Sequence, residues 1–125
     1  MYKIIISGSR HFSDYTLLKS VCNCLLKPYR NIQIVYGGAN GADTLASQYA
    51  REMNHSLKLF SPNWNKYSRA AGPIRNKQMA EYSDGCIAFW DGKSPGTKHM
   101  ISQAKKYNIT VHVQYIHDLF SPVEE

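Results

Sequence analysis

What these 125 residues lack narrows the field first. No apolar run approaches the length of a membrane span. The N-terminal run Tyr2-Lys3-Ile4-Ile5-Ile6 is too short for a bilayer crossing or a secretory signal. Cysteine is sparse: Cys22, Cys24 and Cys86 make an odd number with no C-x-x-C pair, which argues against a disulfide framework and a zinc knuckle. Cys22 and Cys24 stand two apart on an expected helix and so point to different faces. The five histidines (His11, His55, His99, His112, His117) are scattered without the H-x₃-H spacing of a metal site. No Ser-His-Asp order and no carboxylate pair stands out. The expectation is a cytoplasmic chain with free thiols, no metal, no cofactor and no membrane partner. Acidic residues are also in deficit, 9 against 15 Lys and Arg, for a net charge of +6. Such a balance favours an anionic partner, and either a small phosphorylated ligand or nucleic acid would satisfy it.

What is present suffices for one core. An apolar fraction of 43% in a chain of this length predicts a single domain over 1–125. Short β-rich runs alternate with helical patterns, the mark of an α/β sheet covered on both faces. Strands are expected at Tyr2–Ser7, Ile32–Tyr36, His55–Phe60, Gly85–Trp90 and Thr110–Val113. The first helix, capped by Asp14, carries Leu17, Leu18, Val21 and Leu25 at helical spacing as far as about Leu26. A second carries Leu45, Ala46, Tyr49, Ala50 and Met53. Ser61–Gly72 reads as a loop, with Pro73 in the first turn of a helix to about Tyr82. A last helix spans Gly96–Tyr107, and the segment 114–125 is left unassigned. The fold class is a Rossmann-like three-layer sandwich with a mostly parallel sheet of about five strands. In such a sheet every strand-to-helix loop gathers on one edge, where open α/β folds bind ligands.

The strongest local signal is Gly37-Gly38-Ala39-Asn40-Gly41-Ala42-Asp43, which follows the second strand and opens a helix. Glycine lets backbone N–H groups close on an anion, and the helix start adds its dipole. The G-G-x-x-G order differs from the dinucleotide fingerprint and follows strand two, and the same glycines would serve a plain tight turn. Asp43 suits a first helical turn, and it also suits a ribose hydroxyl. Gly8-Ser9-Arg10 follows the first strand at the same edge, where the Arg10 fork can hold a phosphate. Asp91 through Thr97 follows the fourth strand, with Ser94, Gly96 and Thr97 placed as caps or phosphate donors. Trp64, beside Tyr67, Lys66 and Arg69, offers a stacking wall or ordinary packing. Arg75 and Asn76 fall in the first turns of the helix after Pro73.

At these blocks the chain resembles the YspA-like branch of the SLOG superfamily. The matching stretches are Gly8-Ser9-Arg10 with Phe12 and Asp14, Gly37 to Asp43, Ala71-Gly72-Pro73-Ile74-Arg75-Asn76 with Met79, Phe89-Trp90-Asp91-Gly92, and Ser94-Pro95-Gly96-Thr97. They fall in order over about residues 2–113. The resemblance implies a Rossmann-like fold, a nucleotide-derived ligand such as an ADP-ribose relative, and pairing into a homodimer. The superfamily also holds the Lonely-guy phosphoribohydrolases and the DNA-processing Smf/DprA proteins. Lonely-guy enzymes carry a glutamate shortly after Pro-Gly-Gly-x-Gly-Thr. Here Ser94-Pro95-Gly96-Thr97-Lys98-His99-Met100 has one glycine fewer and no acid following. Glycosidic cleavage normally needs a carboxylate, and Asp43 is the one candidate. The leading expectation is therefore a binding module, a sensor or sequestering protein for a nucleotide-like small molecule. An N-glycosidase comes second and single-stranded nucleic-acid binding third.

Overall fold

The computed structural model describes residues 1–39 and 41–117. Its elements follow in chain order: β1 (Tyr2–Gly8), α1 (Tyr15–Leu26), β2 (Ile32–Tyr36), α2 (Ala42–Glu52), β3 (Ser56–Leu59), α3 (Trp64–Tyr67), a 3₁₀ turn (Ser68–Ala70), α4 (Ala71–Tyr82), β4 (Gly85–Trp90), α5 (Pro95–Lys106) and β5 (Thr110–Tyr115). The strands form one sheet in the order β3-β2-β1-β4-β5, and every pairing is parallel. Ile4 pairs with Ile34 on one side and with Gly85 on the other.

The run of isoleucines in β1 shows why both faces are covered. Successive strand side chains point to opposite faces, so a half-exposed strand would alternate apolar with polar. Here Ile4, Ile5 and Ile6 are all buried. Ile4 and Ile6 join Ile34, Ile87 and Phe89 beneath Leu18 and Cys22 of α1 and Ala46 and Tyr49 of α2. Ile5 turns the other way and meets Val35, Cys86 and Ala88 beneath Met79 of α4 and Met100 and Ala104 of α5. Three layers follow from that division. Cys22 is buried and Cys24 exposed, on different faces of α1.

Local signals mostly set the element ends. The Asp14 carboxylate accepts from the Leu17 N–H at 3.0 Å and caps α1. α5 starts at Pro95, one residue ahead of the expected Gly96, because proline at the first helical position gives up an N–H that no helix partner needs. The segment expected as one loop, Ser61–Gly72, instead holds α3 and the 3₁₀ turn, with α4 beginning at Ala71. The Asn63 side chain accepts from the Lys66 N–H at 3.1 Å and starts α3. β3 is shorter than expected. β5 is longer and takes in Gln114 and Tyr115, because Phe89 and Trp90 continue the ladder opposite them. The rest of the unassigned segment, from residue 118, lies outside the described residues. Among the described residues no helix is long and apolar enough to cross a membrane, and no group of His, Cys, Asp and Glu could hold a metal.

Candidate functional site

The strand order reverses direction between β1 and β4. The chain leaves β1 toward β2 on one side and returns to build β4 on the other. The loops that follow these two strands diverge and open a crevice, the place where open α/β sheets receive ligands. A cleft of about 420 Å³ lies there. It is lined by Ser7, Gly8, Arg10 and His11 from the end of β1, Ala39 and Asp43 from the start of α2, Arg75 and Asn76 from α4, and Ser94, Pro95, Gly96 and Thr97 from the start of α5. Three glycine-bearing junctions far apart in sequence border this one cleft.

Close packing holds the first two junctions together. A Cβ at Gly8 would stand 2.6 Å from the Phe89 carbonyl oxygen and 2.7 Å from the Ala42 side chain. β1, β4 and α2 converge on that missing atom. Gly41 adopts φ +74°, and a Cβ there would collide with the carbonyl oxygens of Ser9 and Arg10. Only glycine meets both demands at once.

Arg75 and Asn76 tie the remaining pieces. The Arg75 Nη1 donates to the Gly37 carbonyl at 2.7 Å, and its Nε donates to the Asn76 Oδ1 at 3.0 Å. The Asn76 amide nitrogen donates to the Gly96 carbonyl at 3.3 Å and lies 3.1 Å from His99 Nδ1. One dipeptide on α4 thus links the glycine turn after β2 to the first turn of α5.

On the far wall the Asp91 carboxylate accepts from the backbone N–H groups of Lys93 (2.8 Å) and Ser94 (2.7 Å) and from the Ser94 hydroxyl (2.8 Å). The Ser94 hydroxyl also stands 3.1 Å from the buried Ser9 Oγ, which accepts from the Asp91 N–H at 3.3 Å. Burial works to raise the Asp91 pKa, but these hydrogen bonds outweigh it and hold the carboxyl below its usual range. Asp43 behaves oppositely. It is 8% exposed, and burial pushes its pKa up to about 6 against the N–H groups of Ala39 and Gly37 and the positive charge of Arg75. The Ala39 N–H reaches its Oδ2 at 3.0 Å. Burial also lowers the Arg75 pKa, against the pull of Asp43.

Of the residues singled out from sequence, Gly8, Arg10, Ala39, Asp43, Arg75, Asn76, Ser94, Gly96 and Thr97 line this cleft. Ser9, Gly37, Gly41, Ala42 and Asp91 do not line it; they support it from behind. Asn40 lies outside the described residues. Gly38 faces a second groove of about 440 Å³ beside the cleft. Trp64 is 59% exposed and does not line the cleft; it borders a shallow hollow with Ser61, Pro62, Asn63 and Asn65. Ser94 takes the N-cap position of α5 without a side-chain cap bond, and Thr97 is buried one turn in. Ser7, His11 and Pro95 were not foreseen, although each adjoins a residue that was.

Comparison with known proteins gives a consistent picture. The profile of the YspA, cpYpsA-related SLOG family matches residues 2–67. The Gene 61 protein of Mycobacterium phage D29 is 33% identical over 118 residues, covering 89% of this chain and 94% of its own. DNA processing protein A from Streptococcus pneumoniae superposes with a TM-score of 0.72 at 19% identity, over 90% of this chain and 50% of that one. The same protein from Helicobacter pylori, solved for its single-stranded DNA binding mode, superposes with a TM-score of 0.70 at 22% identity, over 90% of this chain and 64% of that one. The chain therefore spans half to two-thirds of those solved structures, and at such identities the likeness is one of fold.

Proposed function

The chain belongs to the YspA, cpYpsA-related SLOG family, and from that premise we propose that it binds a nucleotide-derived, phosphate-containing small molecule of the AMP, ADP-ribose or NAD kind, as a sensor or sequestering protein. One observation carries the reading: Arg10, Arg75 and the first turn of α5 line a single cleft between the ends of β1 and β4. Two guanidinium groups suit phosphate oxygens, and a helix start adds N–H groups with the favourable end of its dipole. Asp43, in the same cleft, would accept from a ribose hydroxyl. A cytoplasmic location and a homodimer accompany the proposal.

Thermal unfolding with AMP, ADP-ribose, NAD or a short single-stranded DNA tests it, with mass spectrometry of each mixture afterwards. A ligand bound only by the folded state at a hundredfold excess over Kd adds about 2.7 kcal/mol of stability. A shift with an intact nucleotide, lost in Arg10→Ala, supports the proposal. No shift with any nucleotide overturns it.

Two specific observations keep alternatives in play. Asp43 has its pKa pushed up to about 6 and sits in the cleft, as suits an acid that exchanges protons near neutral pH. Free base and a ribose phosphate in the mixture would make the protein an N-glycosidase. Trp64 is exposed beside Lys66, and the Helicobacter pylori neighbour binds single-stranded DNA. A shift with DNA alone, falling steeply with added salt, would favour that reading.

A further inference from the structure

Asn76 is buried, and its neighbours leave its amide only one way to point. The Oδ1 takes the Arg75 Nε–H, and a guanidinium can only donate. The amide nitrogen faces the Gly96 carbonyl oxygen, which can only accept. Turning the amide over would set N–H against N–H on one side and oxygen against oxygen on the other, at 3.0 and 3.3 Å. The orientation is thus fixed by Arg75 and Gly96 alone. The state of His99 follows from it. Its Nδ1 stands 3.1 Å from the same amide nitrogen, which has one N–H left to give. That contact holds only if Nδ1 carries no proton, so the imidazole is neutral, with its proton on Nε2.

One chain of donors and acceptors therefore runs from the Gly37 carbonyl through Arg75 and Asn76 to His99. Arg75 is gripped at two of its five N–H groups, at Nη1 by Gly37 and at Nε by Asn76. Held at two points, its plane is fixed, and three N–H groups have no hydrogen-bond partner among the described residues. Arg75 and Asn76 line the cleft, whereas His99, half-buried on α5, does not. Of the two bonds made by the Asn76 N–H groups, the one to His99 is the shorter, 3.1 against 3.3 Å. Without that acceptor a buried N–H has no partner, and the amide can find one only by turning away from Arg75 and Gly96.

Building on the proposed nucleotide site, we infer that His99 is a positioning residue: its bare Nδ1 holds the Asn76 amide, and through it the Arg75 guanidinium, in place for the ligand phosphate. His99 makes no contact with the ligand. Substitutions at this position separate the role from plain packing. Asparagine puts its Oδ1 where histidine has Nδ1 and so keeps the acceptor, whereas leucine keeps the bulk and loses it. Leucine is the better helix former, so a purely structural role would favour it over asparagine. Positioning demands the reverse order.

Calorimetry with AMP on the full chain reads that order. His99→Asn should bind within about twofold of wild type and His99→Leu about fivefold or more weakly, the scale of residues that act on a site without touching its ligand. Melting midpoints show that both variants are folded. If the two variants bind AMP alike, or asparagine is the weaker, the inference fails while the nucleotide site stands. Two magnetic-resonance readouts need no ligand. Proton–nitrogen correlation of the wild-type imidazoles above neutral pH should show His99 with its proton on Nε2, and a proton on Nδ1 overturns the inference by itself. The Arg75 Nε–H signal should resist solvent exchange in wild type and His99→Asn and exchange faster in His99→Leu. An unchanged signal in His99→Leu means that Asn76 holds Arg75 unaided, and the inference fails. If wild-type protein binds no AMP, the nucleotide reading falls, and the hold of His99 on Arg75 stands or falls by these two readouts.

Discussion

The guanidinium of Arg75 occupies the space that a side chain at Gly37 would need. The Nη1 donates to the Gly37 carbonyl, and a Cβ at that position would overlap the guanidinium itself. A residue on α4 therefore holds the turn after β2, and the turn in turn fixes where that charge sits.

Gly37→Ala should accordingly separate stability from binding. Gly37 is not among the glycines with positive φ, so alanine fits the backbone, and what it meets is the far end of a flexible side chain. Chemical denaturation should show a loss near the low end of about 1–3 kcal/mol, the scale of one overpacked methyl that a flexible side chain can yield to. The affinity for AMP should fall tenfold or more, since a hydrogen bond to a charged group contributes about 1.5–3 kcal/mol. Arg75→Ala should lose as much, and the double variant little beyond either single one. Wild-type affinity in Gly37→Ala would show that the position of Arg75 does not govern binding.

Gly41→Ala should behave otherwise. A positive φ and two carbonyl oxygens in the way leave no relaxed conformation for a side chain. The expected cost is about 1–3 kcal/mol or more, read as a lower midpoint in urea with an unchanged slope. An unaltered midpoint would mean that the loop after β1 moves aside freely.

The two aspartates at this edge should give stability profiles of opposite sign. Asp43 has a folded-state pKa near 6, above its ordinary 3.8, so the folded protein holds the proton more tightly. Its contribution is present in full below about pH 4 and is lost as pH rises through 6. At roughly 1.4 kcal/mol per pH unit, Asp43→Asn should recover on the order of 2–3 kcal/mol at pH 7. Asp91 has a depressed pKa, so its contribution is present above about pH 4 and is lost as pH falls through the lower folded value. Unfolding midpoints from pH 3 to 8 for wild type, Asp43→Asn and Asp91→Asn would check both signs. A variant whose profile parallels wild type would clear that carboxylate of the role.

Asp91→Ala should also loosen the loop that delivers Ser94 to the cleft, because two backbone N–H groups and a hydroxyl lose one acceptor. The loss compares with that of a helix cap, about 0.5–2 kcal/mol. Amide hydrogen exchange at Lys93 and Ser94 should quicken, while the core strands keep their protection. Equal quickening throughout the sheet would mean a global rather than a local effect.

How much of this could be read from the residues depends on the range of the interaction. β2 and β4 were legible to the residue, because a mainly apolar run between turn signals, broken in β2 only by Gln33 and in β4 not at all, means a strand covered on both faces. Asp14 was legible as a cap, because the bond it makes spans three residues. The glycine junctions were legible as turns at one edge of the sheet by the same local logic. What sequence did not disclose was which side chains face the cleft and which hold it up. Ser9, Gly37 and Asp91 support the walls through partners up to 85 residues away, and no local pattern encodes such pairing. Trp64 was read as near the site because its loop leads to the same edge; it is exposed on α3 and does not line the cleft, while Ser61, Pro62 and Asn63 beside it also border a hollow that reaches Arg75.

The cleft takes its lining from as early as Ser7 and as late as Thr97, so no contiguous stretch of chain contains it. Residues 2–67 alone would carry the first two junctions, but neither the α4 clasp nor β4, the strand on the other side of β1 from β2. Occupancy should therefore be all or nothing with respect to folding. A ligand that seats here draws its free energy from the assembled sheet and returns it there, slowing exchange of the central β1 and β4 amides by one common factor rather than quieting the nearby loops alone. In that sense the site reports on the integrity of the whole domain.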